Sequence, residues 1–192
     1  MLSRLMFGLA LTLAIATCAA AHVAQAQKDR ANPDAVAIAA FAKRVDAYVG
    51  LHKKLEGSIP SLPKEATPQQ IDQHQRALGR LIGQERANAK RGDLFTPDME
   101  RIARKLLRDI FRGPGGEQMK REIFEEYGQR NIVPTVNGRY PDEVPLSTVP
   151  PGVLAGLPKL PEELEYRFVG RNLILLDPHA HIIADYVDRA IP

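Results

Sequence analysis

Cysteine is almost absent from this chain of 192 residues, which contains only Cys18. Cys18 lies in an N-terminal stretch, residues 1–26, that we expect to be removed on export, so the mature chain would have no cysteine. A chain without cysteine forms no disulfide bond, offers no thiol nucleophile and binds no metal through sulfur. We therefore expect the stability of the fold to come from packing alone.

Residues that usually carry enzyme catalysis are also scarce. Beyond residue 26 the serines are Ser58, Ser61 and Ser147, and their proline-rich surroundings lack the strand–turn–helix context of a nucleophile elbow. The glycine-rich stretch 113–116 lacks the lysine and the preceding strand of a phosphate-binding loop. We therefore predict that the protein is not an enzyme and has no cofactor, unless it binds a divalent metal ion.

The surplus of positive charge is small. The formal net charge is +3, and the expected loss of Arg4 lowers it by one. A surplus of this size does not indicate nucleic-acid binding.

The first 26 residues have the parts of an export signal: Arg4, the apolar core Leu5–Ile15, and the small residues Ala24 and Ala26 around a cleavage site. The apolar core is too short to span a bilayer, so no stable membrane span is expected after cleavage. We predict a periplasmic or secreted protein. In the alternative interpretation, residues 15–18 act as a lipobox and Cys18 is lipidated, although a threonine directly before the cysteine fits that motif poorly.

Residues 27–130 predict a layer of four helices. Apolar side chains recur there at helical spacing, and Asn-Pro or Thr-Pro pairs mark three of the helix starts. The predicted helices cover residues 31–56, 67 to about 90, 96–112 and 117–129.

The remainder predicts a connector followed by a small sheet. Residues 131–161 contain seven prolines and are expected to form a strap that lies on the helices. Residues 162–192 show the alternation of short strands, over 164–169, 173–176 and 182–187. Three short strands cannot bury themselves, so we predict one α+β domain over 27–192, mainly α with a C-terminal antiparallel β meander.

Several stretches of the second half have a distinctive sequence: residues 92–97 (GDLFTP), 111–116 (FRGPGG) and 160–177 (LPEELEYRFVGRNLILLD). They resemble an uncharacterised family of exported bacterial proteins, and the resemblance covers about Gln84 to the end. It implies a periplasmic or secreted location and no particular chemistry. The last hairpin, with its Tyr-x-x-x-Gly…Leu…Asp pattern, is also loosely similar to periplasmic nickel/cobalt-homeostasis accessory proteins, which implies no residue roles.

The first candidate site is the segment from Asp177 to His181. In an extended chain His179 and His181 point the same way, so both imidazoles could bind one divalent metal ion. Asp177 or Asp185 would add an oxygen ligand. The alternative is a polar turn with ordinary exposed histidines, because Asp-Pro initiates turns.

The second candidate is the pair His52 and His74, which interrupt the apolar stripes of the first two predicted helices. If these helices form an antiparallel hairpin, the two histidines lie close together, with Glu56 and Asp72 at the same end. They would bind a metal or titrate as a pair. The alternative is two partly buried histidines that only satisfy hydrogen bonds.

The function predicted from the sequence is an exported, non-catalytic protein that binds an envelope protein partner. The alternative is a small protein that handles a divalent metal through its histidine pairs. Two observations separate these hypotheses. A binding module would expose apolar residues of the strap between Val144 and Leu160, whereas a metal-binding protein needs histidines that converge.

Overall fold

The computed structural model describes residues 32–127 and 132–192. The predicted export signal, Cys18 and the last residues of the predicted fourth helix lie outside these residues. The chain divides into two compact units, Met1–Val36 and Ala37–Pro192. Only residues 32–36 of the first unit are described.

The described residues form five helices. They are α1 (Pro33–Glu56), α2 (Pro68–Glu85), α3 (Pro97–Arg112), α4 (Gly116–Tyr127) and the short α5 (Pro151–Gly156). The starts of α2 and α3 follow the predicted logic: the side chains of Thr67 and Thr96 accept hydrogen bonds from the first turn, and proline occupies the first helical position. The prediction that the second helix continues to about Lys90 is wrong.

Helix α2 ends at Glu85, and the C-cap residue that follows is Arg86. Its backbone N–H still donates to the Ile82 carbonyl oxygen. Its guanidinium donates to Asn137 Oδ1 at 2.8 Å and to the Ala184 carbonyl oxygen at 3.1 and 3.2 Å. These contacts tie the end of α2 to the strap and to the sheet.

The C-terminal residues form one antiparallel sheet in the order β1-β2-β3, with β1 at Glu165–Val169, β2 at Asn172–Asp177 and β3 at Ile182–Val187. The first turn centres on Gly170, whose φ of 56° suits glycine. The register of β2 against β3 shifts between Leu175 and Leu176. The predicted fold class, α+β with a small C-terminal antiparallel meander, is confirmed.

Both faces of the sheet are covered. Leu173 and Leu175 belong to the main core with the helices, whereas Ile174 and Leu176 pack with Tyr140 and Val144 of the strap. The prediction that the strap lies on the helices is therefore only partly right. Its first part covers the far face of the sheet, and its second part, including Val153 and Leu157, joins the helical core.

Within residues 32–127 and 132–192, no helix combines the length and the apolar character that crossing a membrane requires.

Candidate functional site

Helix α1 presents a line of polar side chains at its C-terminal end. Tyr48, His52 and Glu56 are four residues apart, so they lie on one face, one turn above another. Tyr48 and His52 are buried, and Glu56 is partly exposed at the last turn. A buried histidine needs a partner for each ring nitrogen, or its burial costs stability.

Asp177, the last residue of β2, supplies the first of these partners. It is fully buried, and its Oδ2 lies 2.6 Å from His52 Nδ1 and accepts a hydrogen bond from the Tyr48 hydroxyl at 2.7 Å. Its Oδ1 accepts from the Ala180 backbone N–H at 2.8 Å. One carboxylate therefore orients the His52 ring and closes the β2–β3 turn, residues 177–182.

The β2–β3 turn delivers His179 to the same place. His179 Nδ1 lies 3.1 Å from Glu56 Oε1, and the centroids of the His179 and His52 rings are 5.3 Å apart. Nitrogen atoms of the two histidines and a carboxylate oxygen of Glu56 all lie within 4.8 Å of one another. Histidine and carboxylate are a donor set that zinc and similar divalent cations bind.

His74, on α2, also contacts Glu56. Its Nδ1 faces the Pro60 carbonyl oxygen at 3.2 Å, and its Nε2 is 3.7 Å from Glu56 Oε1. We name the four residues His52, Glu56, His74 and His179 the Glu56 cluster. Within the described part of the chain, every ion pair that Glu56 makes is with a histidine.

The protons of His52 can be assigned from its surroundings. Because an ionised carboxylate only accepts, Nδ1 carries the hydrogen that is shared with Asp177. In the neutral ring, Nε2 then has a lone pair. Nε2 is buried without a hydrogen-bond partner among the described residues, although Glu56 Oε2 is 3.3 Å away. Two acceptor atoms thus face each other, an arrangement that is stabilised when a proton or a metal cation lies between them.

The surroundings of His52 also shift its pKa. Burial alone would lower it, but the hydrogen bond to Asp177 and the charges of Asp177 and Glu56 outweigh burial, so the pKa of His52 is raised above its ordinary value. Burial, reinforced by Asp177, raises the pKa of Tyr48 well above its ordinary value. Tyr48 therefore stays protonated and keeps donating to Asp177.

Helix α2 supports the β2–β3 turn from behind. Gln75 Nε2 donates to the Pro178 carbonyl oxygen at 3.2 Å. A methyl group on Gly79 would lie 3.0 Å from Ile182 Cγ2 and 3.1 Å from the Ala180 carbonyl oxygen, so the backbones approach closely there. Gly83, the other glycine of α2, has open space beside it.

His181 lies away from the Glu56 cluster. Its Nε2 is 3.5 Å from Asp142 Oδ1, and its ring contacts Tyr140 edge to face. Asp142 and Asp72 are both held by arginines; Arg139 reaches Asp142 at 2.7 Å and Asp72 at 2.8 Å. Arg76 also pairs with both carboxylates. We name His181, Asp72, Asp142, Arg76 and Arg139 the arginine cluster.

The structure therefore does not bring His179 and His181 together. The prediction assumed an extended chain, in which residues two apart share a side, but this segment is a turn and His181 has a φ of 54°. The pKa of His181 is lowered, first by burial and then by Arg139.

Asp185 also has a role other than the predicted one. It is fully buried in β3, and its oxygens accept backbone hydrogen bonds from Gly92, Leu94 and Phe95 at 2.7–3.0 Å. These bonds use both oxygens of the carboxylate, and they hold the loop before α3 in place. Asp185 is therefore a structural residue, outside the Glu56 cluster.

The six candidate residues are regrouped accordingly. His52 and His179, one from each predicted pair, share Glu56, and Asp177 lies behind His52. His74 reaches only the edge of this set, and His181 and Asp185 are elsewhere. The sequence contained one usable signal for Glu56, its spacing of four residues from His52, but none for the contact between His52 and His179, which are far apart in the chain.

A cleft of about 470 Å³ opens beside the Glu56 cluster. Its walls are the end of α1 and the loop that follows. The residues that line it are Lys53, Glu56, Gly57, Ile59, Ser61, Leu62 and His74. Glu56 and His74 therefore belong both to the cluster and to the cleft wall.

Comparison of the chain with protein-family models, with curated proteins and with solved structures found no match. The resemblance to exported bacterial proteins stays a prediction from the sequence.

Proposed function

We propose that this chain is an exported protein that binds a divalent metal ion of the zinc, nickel and copper group through His52, Glu56 and His179. The observation that carries the proposal is the buried Nε2 of His52, which lacks a hydrogen-bond partner in the described residues and faces a carboxylate. A metal ion at this position supplies the missing positive charge and satisfies both acceptors.

The spacing of the donor atoms supports this proposal. In tetrahedral zinc coordination with bonds of about 2.0–2.1 Å, ligand atoms lie roughly 3.3 Å apart. His52 Nε2 lies 3.3 Å from Glu56 Oε2, and His179 Nδ1 lies 3.1 Å from Glu56 Oε1. Small side-chain adjustments suffice to place one cation among these atoms.

The residues behind the donors also fit a metal site. Metal-binding histidines usually donate their other ring N–H to a carboxylate, which fixes the tautomer and raises the basicity of the ligating nitrogen. Asp177 has this position behind His52, and the Tyr48 hydroxyl holds Asp177 in turn. Asp177 is therefore a positioning residue, outside the set of ligands.

The accessibility of the donors favours metal handling over a purely structural metal. His52 is fully buried, but the side chains of His179 and Glu56 are 43% and 32% exposed. A cation can then enter and leave from the solvent side without unfolding the core.

Calorimetric titration of the purified protein with Zn²⁺ tests the proposal. We expect one ion per chain. The variants His52→Gln and His179→Gln should each lose at least about 100-fold in affinity, since loss of a residue behind a ligand already costs about 10–100-fold.

His181→Gln is the matched control, because it removes an imidazole from the same turn but from the arginine cluster. Its affinity should equal that of the wild type. Binding no stronger than that of an exposed histidine, or equal losses in all three variants, would mean that the Glu56 cluster is only a set of hydrogen-bonded histidines.

A second proposed function, binding of an envelope protein, has a more limited basis. Between Val144 and Leu160, the side chains of Val144, Val149, Val153 and Leu157 are buried, but those of Leu146 and Leu154 are 44% and 47% exposed. Leu154 borders a groove with Val149 and Leu160. Crosslinking in intact cells should then depend on Leu154. A Leu154→Ser variant that crosslinks like the wild type contradicts this second proposal.

A further inference from the structure

We infer that the bound metal ion keeps one coordination position open toward the cleft, and that this position takes the carboxylate of a small aliphatic acid. The inference rests on the proposed metal site and extends it from the ion to the class of ligand that the ion would hold.

The proposed donors come from two parts of the fold. His52 belongs to α1, Glu56 to its last turn and His179 to the β2–β3 turn, and among the described residues the set comprises these three, without His74. Three protein ligands with a fourth position left for an external molecule is the arrangement of open zinc sites. Because Glu56 is both a donor and part of the cleft wall, the fourth position faces the cleft.

The charge of the ligand set leaves room for an anion. Two neutral imidazoles and the Glu56 carboxylate leave a divalent cation with one positive charge among its ligands, while the carboxylate of Asp177 lies further back, 2.6 Å from His52 Nδ1. Lys53 adds no net charge of its own because its Nζ pairs with Glu163 at 2.8 Å. A carboxylate in the fourth position balances the charge of the ligand set, and oxygen is a ligand that zinc accepts.

Part of the cleft wall is apolar. Ile59 and Leu62 line the cleft, and Leu62 is 40% exposed. An aliphatic chain attached to the carboxylate would cover these side chains and remove their surface from water. The cleft volume of about 470 Å³ lies within the range of roughly 300–1,000 Å³ usual for small-molecule sites.

The probe for this inference is the protein loaded with Co²⁺, whose visible absorption changes with the number and kind of its ligands. Acetate, hexanoate and hexanol are titrated separately. We expect a spectral change with both carboxylates, none with hexanol, and at least tenfold tighter binding of hexanoate than of acetate.

Variants then locate the aliphatic chain. Leu62→Asn and Ile59→Asn should remove the preference for hexanoate while leaving the affinity for Co²⁺ unchanged. Leu154→Asn, an exposed leucine on α5, is the matched control and should keep the preference.

The outcomes separate the two proposals. Failure of Co²⁺ to bind overturns the metal site and, with it, this inference. Binding of Co²⁺ with a spectrum that neither carboxylate alters leaves the metal site standing and overturns the open position. Equal binding of acetate and hexanoate, or binding of hexanoate to the metal-free protein with the same affinity, also overturns the inference.

Discussion

The Glu56 cluster and the arginine cluster both place histidine beside carboxylates, but they differ in the source of positive charge. In the arginine cluster, Asp72 and Asp142 face two guanidinium groups that stay protonated at any ordinary pH. In the Glu56 cluster, the only partners that Glu56 has in the described residues are imidazoles, which carry charge only when protonated. A histidine among carboxylates is thus a candidate metal ligand only where no arginine already balances the carboxylates.

The pKa values of the two central histidines reflect this difference. The pKa of His52 is raised in spite of burial, because Asp177 and Glu56 favour its charged form. The pKa of His181 is lowered by burial and by Arg139, with Asp142 and Asp72 opposing them. The surroundings therefore favour positive charge on His52 and disfavour it on His181.

The largest effect is expected when one carboxylate is removed from each cluster. Glu56→Gln takes away a proposed ligand and its negative charge, so the Zn²⁺ affinity should fall by at least about 100-fold, more than the loss of a residue behind a ligand causes. Asp142→Asn should leave the affinity unchanged. Calorimetry of both variants measures the difference, and similar affinities would refute the assignment of Glu56.

A smaller effect is expected from changing Asp177, which lies behind the proposed ligand His52. Asp177→Asn keeps the shape of the side chain but removes the charge that orients His52, so the Zn²⁺ affinity should fall by about 10–100-fold. The loss should be greater than that of Tyr48→Phe, which removes only a neighbour of Asp177. An unchanged affinity in Asp177→Asn would show that the carboxylate only closes the β2–β3 turn and does not contribute to metal binding.

The two glycines of α2 test how firmly α2 holds the β2–β3 turn, which separates the two clusters. Gly79→Ala crowds the Ala180 carbonyl oxygen, whereas Gly83→Ala meets open space. We expect Gly79→Ala to be less stable than Gly83→Ala by about 1–3 kcal/mol, the usual cost of overpacking. Urea unfolding of both variants measures this difference, with the wild type as reference.

Gly83→Ala should itself be more stable than the wild type by up to about 1 kcal/mol, because alanine favours the helix. Equal stability of the two alanine variants would mean that the β2–β3 turn moves away from α2 without cost. The close approach at Gly79 would then contribute nothing to the free energy of unfolding.

The smallest expected effect is the dependence of stability on pH in the metal-free protein. The raised pKa of His52 means that its protonated form stabilises the fold; this contribution is complete below the unfolded-state pKa of about 6.5 and is lost as the pH rises through the higher folded-state pKa. For His181 the sign is reversed. Its contribution is present above about pH 6.5 and is lost as the pH falls toward the lower folded-state pKa.

Unfolding of the wild type, His52→Gln and His181→Gln across this pH range, with a chelator present, separates the two contributions. The stability difference between wild type and His52→Gln should shrink toward high pH, and that between wild type and His181→Gln should shrink toward low pH. If both stability differences changed with pH in the same direction, the contrast between the two clusters would be contradicted.

The local elements of the fold were predictable because local sequence determines them. Strand β3 was predicted with its observed bounds, and β1 and β2 within one residue at each end, since alternation and Gly170 specify the hairpin. The end of α2 was not predictable. The residue that follows it, Arg86, bonds to Asn137 and Ala184, which are distant in the chain.

The candidate site was predictable as a set of residues but not as a set of contacts. Histidines in apolar helical stripes and in an Asp-Pro turn can be identified as candidates from the sequence alone. The pairing of His52 with His179 depends on how α1 packs on the end of β2, and the separation of His179 from His181 depends on the left-handed backbone of His181. Neither is encoded in the spacing of neighbouring residues.

X-ray absorption spectroscopy of the protein loaded with one equivalent of Zn²⁺ tests the proposed metal site most directly. We expect two imidazole nitrogens and a carboxylate oxygen at about 2.0–2.1 Å from the metal, with one imidazole lost in His52→Gln and one in His179→Gln. A spectrum without imidazole, or one that His181→Gln alters instead, would show that the Glu56 cluster does not bind the metal.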